Sequence, residues 1–311
     1  MIKIKKDITG EITTQQIVLL IILLVSFSII LFLLFRLDLG KESEKEICHN
    51  SVVMRGLSSI PAEATPLKCS RDYVCVTEDG SCERMTDPEI KNVKSLEEVY
   101  GILAEEMANC WWMFGEGKVD YVGKDFFLKD NYCSICSQIA FDDSLNNINE
   151  IEAEISKDEF YNYLSLTPMP GEEMHYAEYL FGTDDVQKLK EDFSKDQDTS
   201  LSFGKIYLDR EYFIMTGITS EVTSGWIRNT VGIGTAVAGI LIPGVGWTYA
   251  GGILGILVVG GGSVTQNIDP SIEAIVVKGK GIENNFMAPT IQEANSETLK
   301  KLNCYDIVTN I

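Results

Sequence analysis

Cys133 and Cys136 stand two residues apart in NYCSICSQ, a spacing that can carry a redox-active dithiol. In a thioredoxin-type site the first cysteine follows a buried strand and opens a helix. The helix N-terminus lowers its pKa, and the thiolate becomes the nucleophile. Here KDNY precedes the motif, not an apolar strand, and no thioredoxin pattern surrounds it. The same pair could supply half of a zinc site. A second CxxC is absent, because Cys69, Cys75 and Cys82 are six and seven positions apart. The remaining chemistry is disulfide formation. Cys48, Cys69, Cys75, Cys82, Cys110, Cys133, Cys136 and Cys304 make eight, an even number at irregular intervals. That fits an oxidising compartment and allows about 105 pairings. Two pairings are expected. Cys110 staples to the CSIC loop, and Cys48 joins Cys304 to close the domain, a large loop worth on the order of 4–5 kcal/mol in the entropic account.

The two histidines, His49 and His175, offer little catalytic material. Glu172, His175 and Glu178 would share a face at i, i+3 spacing if EEMHYAEYLF is helical, a weak metal set without a second Glu-x-x-His. Trp111 and Trp112 suggest a stacking platform for a sugar. Adjacent helical positions point about 100° apart, so at least one belongs to the core. No Ser–His–Asp order, P-loop or dinucleotide fingerprint is present. No catalytic, cofactor-binding or metal residue is therefore assigned, no cofactor is expected, and nothing argues for an enzyme.

The elements that position these residues begin with IVLLIILLVSFSIILFLLF, residues 17–35. All but Ser26 and Ser28 are Ile, Val, Leu or Phe, and none is charged. At about −0.3 to −0.6 kcal/mol per apolar residue, insertion is worth roughly −5 to −10 kcal/mol. A helix of this length also matches a hydrocarbon core of about 30 Å. It is longer than a cleavable signal's apolar region, and no small-x-small site follows it. Lys3, Lys5 and Lys6 precede it, so residues 1–16 are expected in the cytoplasm and the bulk of the chain outside. A charged linker, 36–47, leads to a cysteine-rich α+β ectodomain over 48–228. SVVMRGL and DYVCVTE read as strands. Residues 95–114 read as an amphipathic helix capped by Ser95, with apolar Leu96, Val99, Leu103, Met107 and Trp111. Ser156 to Glu159 has the form of a capping box. KIYLDREYFIMTGI (205–218) reads as a strand or hairpin, and SIEAIVVKG (271–279) as another strand.

A second apolar stretch, 229–268, carries no charge at all. Between Val231 and Val264 it holds fourteen aliphatic residues and eleven glycines, more glycine than a soluble helix or strand tolerates. Gly251 and Gly255 form a GxxxG, Trp247 lies between them and the break, and Pro243-Gly244 interrupts the run. Three readings compete. Two helices of about 13 residues, 230–242 and 247–260, could form a re-entrant or interfacial hairpin. Residues 240–260 could be one kinked span. The run could be a hairpin buried in the ectodomain or an oligomer. A hairpin returns the chain to the side it left, which keeps all eight cysteines together and 269–311 within the ectodomain.

Two resemblances add to this. Cys48 followed by SVVMR, PLKC at 66–69, VCVT at 74–77, CWWMFGEGK at 110–118 and CSIC at 133–136 together resemble uncharacterised membrane-anchored proteins of small-genome archaea. That resemblance covers residues 1–140. It implies a cell-surface location, and it supplies no activity and no catalytic residues. Gly10 followed by Glu11 and then the apolar run loosely resembles the class III signal of type IV pilin-like subunits. Thr9 and Gln15 depart from that pattern.

The chain of 311 residues has a formal net charge of −20, which repels phosphate backbones and excludes nucleic acid as a partner. The expectation is a single-pass, signal-anchored, disulfide-stapled α+β surface protein with a glycine-rich helical hairpin. Its partners are the lipid bilayer and either other envelope proteins or further copies of itself. Its role is to bind. The alternatives are a membrane-inserting effector using the hairpin, a pilin-like filament subunit, and a thiol oxidoreductase using Cys133 and Cys136.

Overall fold

Apolar side chains without a polar face make α1, Thr14–Arg36. Its two serines do not break that surface. The Ser28 hydroxyl donates to the Leu24 carbonyl at 2.8 Å, and Ser26 donates to Ile22 in the same way. The segment Gln15–Phe32 is wholly unburied, and among the described residues it is the one helix long and apolar enough to cross a membrane. The computed structural model describes residues 14–36, 39–57, 65–122, 131–188, 190–191, 202–219, 226–229, 256–260, 272–279, 285–302, 304–307 and 309. It forms two compact units, Met1–Glu44 and Lys45–Ile311.

α2, Leu39–Leu57, takes in most of the expected linker and all of SVVMRGL, which is not a strand. Its buried residues Cys48, His49 and Val52 fall at helical spacing. Val-rich composition suggested a strand, but burial on one side only every third or fourth residue favours the helix.

The second unit is built on a nine-stranded mixed sheet in the order β2-β1-β3-β6-β10-β9-β8-β7, with β11 also on β3. The strands are β1 Asp72–Thr77, β2 Glu89–Asn92, β3 Asn131–Phe141, β6 Tyr212–Thr219, β7 Trp226–Asn229, β8 Ile256–Gly260, β9 Ile272–Lys278, β10 Asn285–Glu293 and β11 Cys304–Ile307. β4 Glu154–Ser156 and β5 Lys205–Tyr207 form a separate ribbon. The stretch 205–218 is therefore two strands in two sheets. β3 is the organising strand. Along one edge its start pairs with β11 and its end with β1, both parallel, while β6 runs antiparallel along the other. At Gly217 an added Cβ would lie 2.7 Å from the Tyr132 carbonyl oxygen, so β3 and β6 approach closely there.

The sheet has two covered faces. On the first, Ile139, Phe141, Tyr212, Ile214, Ile275, Val277, Phe286 and Ile291 join one core with α3, Leu96–Met113. α3 buries Val99, Leu103, Met107, Cys110 and Trp111, the stripe its spacing predicts. Its cap is as expected, since the Ser95 hydroxyl accepts from the Glu98 amide at 3.2 Å. α4, Lys157–Leu166, is capped by Ser156 accepting from Glu159 at 3.4 Å. α5, Tyr176–Phe181, is shorter than the sequence suggests and starts only after His175. On the second face Cys133, Ile135, Phe213, Met215, Ala274, Val276 and Met287 form a smaller core. It is completed by Leu302 and by Leu299 of α6, Ser296–Lys301.

Candidate functional site

All eight cysteines are bridged, in the pairs Cys48–Cys69, Cys75–Cys82, Cys110–Cys136 and Cys133–Cys304. The expected staple from α3 to the CSIC segment is present, through Cys136. That segment is a strand rather than a loop. The expected closure of Cys48 on Cys304 is not formed. Cys48 is turned inward by α2 and meets Cys69 just before β1, whereas β11 delivers Cys304 to the first residues of β3. The CxxC therefore does not form a dithiol of its own. Cys133 lies in the core of the second face and Cys136 in that of the first, because an odd spacing along a strand points side chains to opposite sides. Each thiol is committed to a different, buried bridge. The arrangement is a double staple through the sheet, and it lacks the exposed thiolate that exchange chemistry requires.

The tryptophans are covered as well. Trp111 meets Phe286 edge-on at 6.5 Å, and Trp112 stacks on His49 at 4.2 Å and 8°. The His49 Nδ1 also lies 2.7 Å from the Trp112 carbonyl oxygen. The contact with His49 fastens α2 to the end of α3, and the two indoles pack on different partners rather than forming one shared platform.

That end of α3 also holds a polar group that spacing did not single out. The Gly115 amide donates to the Trp112 carbonyl at 3.1 Å and the Glu116 amide to the Trp111 carbonyl at 2.9 Å, a Schellman ending. Gly115, Glu116 and Gly117 all have positive φ, at 77°, 55° and 67°. For Glu116 that conformation is costly. It turns the carboxylate inward, where its side chain is only 7% exposed and pairs with Lys118. The Tyr179 hydroxyl of α5 donates to Glu116 Oε1 at 2.8 Å. Burial and then the Glu116 charge hold the Tyr179 phenol well above its ordinary pKa. Through Tyr179 the group ties the end of α3 to α5. Its only sequence signal is GEGK, two glycines flanking a charge.

A second buried acid, Glu106 of α3, is 4% exposed. Its pKa is raised, by burial first and then by Asp72, against the lowering pull of Lys45, Ser137 and Lys91. At the far end of β1, the Ser81 hydroxyl lies 2.6 Å from Asp79 and 3.0 Å from Asp142, clasping the ends of β1 and β3 beside the Cys75–Cys82 bridge. The Ser81 hydroxyl and amide hold Asp79 below the usual carboxylate range.

The supposed metal set comes apart. His175 precedes α5 and bridges to Pro168, Glu172 lies in the preceding turn, and only Glu178 is helical. Among the described residues no group of three or more His, Cys, Asp or Glu is arranged to hold a metal ion.

The glycine-rich run is approached from both sides. Asn229 at the end of β7 and Ile256 at the start of β8 are direct antiparallel partners. Residues 230–255 thus connect two strands that are neighbours in the sheet, between positions that face each other. Pro243, Gly244, Trp247, Gly251 and Gly255 lie outside the described residues, as does Gly10. Residues 256–260 are strand, not helix, and pair with both β7 and β9. Those five residues, the last of the helix expected over 247–260 and of the span expected over 240–260, are therefore not helical, and the rest of both segments lies outside the described residues. Four consecutive apolar residues, ILVV, carry no periodicity that separates a short strand from a helix, which is why composition misled there.

No protein-family model matches the chain, and neither a curated protein nor a solved structure is similar to it.

Proposed function

We propose that this is a non-enzymatic, membrane-anchored envelope protein. In this reading α1 holds it in the bilayer, and the disulfide-stapled domain stands on the extracytoplasmic side to bind envelope proteins or further copies of itself. The observation that carries the reading is the contrast between the two units. One is a wholly unburied apolar helix with hydroxyls satisfied internally. The other has every cysteine bridged. Bridged cysteines persist in oxidising compartments, and an unburied apolar helix of this length is stable in lipid. The resemblance of residues 1–140 to archaeal membrane-anchored surface proteins agrees with it. Membranes from producing cells, washed with alkaline carbonate, test the anchor: the chain stays in the pellet if α1 spans the bilayer. Release to the supernatant overturns it.

A second reading draws on the pairing of Asn229 with Ile256. That register roots both ends of a charge-free, glycine-rich segment at one place on the sheet, as a membrane-inserting effector would need. Dye release from liposomes by the purified chain supports this reading. Intact liposomes at saturating protein dismiss it.

A further inference from the structure

The bridges Cys110–Cys136 and Cys133–Cys304 interleave along the chain, whereas Cys48–Cys69 and Cys75–Cys82 join consecutive cysteines. Oxidation in order of appearance would join Cys110 to the next thiol, Cys133, and leave Cys136 for Cys304. The unfolded chain has almost no means of choosing. Cys110–Cys136 spans 26 residues, and the decoy with Cys133 is three shorter. Loop closure then favours the decoy by a factor of about 1.2. For Cys304, whose native bridge spans 171 residues, three positions change nothing. Only the folded sheet discriminates. It turns Cys136 toward α3 on the first face and Cys133 toward β11 on the second. The bulge between Ile135 and Ser137 fixes that phase against the rest of β3.

We infer that this chain matures through a thiol–disulfide isomerisation step, and that its folding partner is a disulfide isomerase, a protein dithiol with one low-pKa cysteine. The catalyst's thiolate attacks the Cys110 sulfur of a misplaced Cys110–Cys133 bridge. A mixed disulfide forms and Cys133 leaves as thiolate. Cys133 attacks Cys304 of the misplaced Cys136–Cys304 bridge and releases Cys136. Cys136 attacks Cys110 in the mixed disulfide and returns the catalyst's thiolate. Two bridges enter and two leave, so no oxidant is consumed. The same displacement explains why CSIC reads as a redox motif yet holds no dithiol: its two cysteines are the substrate of such chemistry. The inference rests on the oxidising side of the proposed function, but refolding in vitro tests the exchange step whichever side of a membrane the chain occupies.

The full chain in detergent, reduced and unfolded, is diluted into diamide with or without a purified protein disulfide isomerase and glutathione. Thermolysin cleavage before Ile135 then separates the two cysteines for mass spectrometry. Oxidant alone is expected to divide Cys110 about evenly between Cys133 and Cys136. The isomerase is expected to raise the Cys136 share about two-fold. Cys110 found on Cys136 throughout without the isomerase, or on Cys133 after it, overturns the inference. A Cys133→Ser, Cys304→Ser variant lacks the decoy, so its Cys110–Cys136 yield is expected to be the same with and without isomerase. A gain there as large as in the unaltered chain also overturns it.

Discussion

Glu116 adopts a backbone conformation that glycine prefers, and it does so between two glycines. The strain is offset by what its carboxylate reaches, Lys118 and the Tyr179 hydroxyl. Glu116→Ala leaves a buried phenol without its acceptor and is expected to cost about 2–3 kcal/mol in chemical unfolding. Tyr179→Phe removes one hydrogen bond to a charged group and is expected to cost about 1.5 kcal/mol. Glu116→Gln keeps an acceptor and loses less than Glu116→Ala. Glu106 predicts a pH dependence of definite sign. Burial raises its folded pKa above the ordinary value of 4.5, so the native chain binds the proton more tightly than the unfolded one. Its contribution is complete below about that ordinary value and is lost as pH rises through the folded pKa. Glu106→Gln, always neutral, is therefore expected to melt above the unaltered protein at pH 8, with the gap closing toward pH 4. A gap that widens on acidification would contradict this. Asp79 acts oppositely, since its lowered pKa gives stability that disappears as pH falls below the ordinary carboxylate range.

At the scale of elements, the four bridges differ in reach. Cys133–Cys304 spans 171 residues and Cys75–Cys82 spans 7. In the entropic account their removal costs about 5 and about 2.5 kcal/mol respectively. Cys133→Ser with Cys304→Ser is therefore expected to lower the unfolding midpoint more than Cys75→Ser with Cys82→Ser. It should also raise amide exchange in β11, which is otherwise held by its parallel pairing with β3 and, on its flanks, by Asn131 donating to the Leu302 carbonyl at 2.6 Å and the Ile135 amide donating to the Thr309 hydroxyl at 3.2 Å. Equal losses from the two pairs would show that loop length does not govern the effect. Local signals located α3, α4, β1 and β9 in the sequence, because caps and periodicity are written within a few residues. They failed for α2, which is fastened by the end of α3 and by the bridge to Cys69, and for β8, whose conformation is set by pairing with β7 and β9. They also missed β10, whose run of eight buried residues shows no alternation, and β11, whose place depends on a partner far back in the chain. The disulfide map was half legible. Spacing brings Cys110 near the CSIC segment, but which cysteine it takes depends on the faces of β3.

For the whole molecule, the division into an unburied apolar helix and a bridged domain was legible from composition alone. The candidate site was less so. The Glu116–Lys118–Tyr179 group joins two helices through side chains 63 positions apart, which no local pattern records. The central claim is that the bridged domain occupies the oxidising side of a membrane that α1 crosses. Its most direct test is labelling of intact producing cells with a membrane-impermeant maleimide, before and after treatment with an impermeant reductant, under mild denaturation that opens the domain without lysing the membrane. The account predicts no labelling before reduction and labelling of the Cys48–Cys304 region after it. Thiols that react without reduction, and only once the membrane is lysed, would place the domain in the cytoplasm and contradict it.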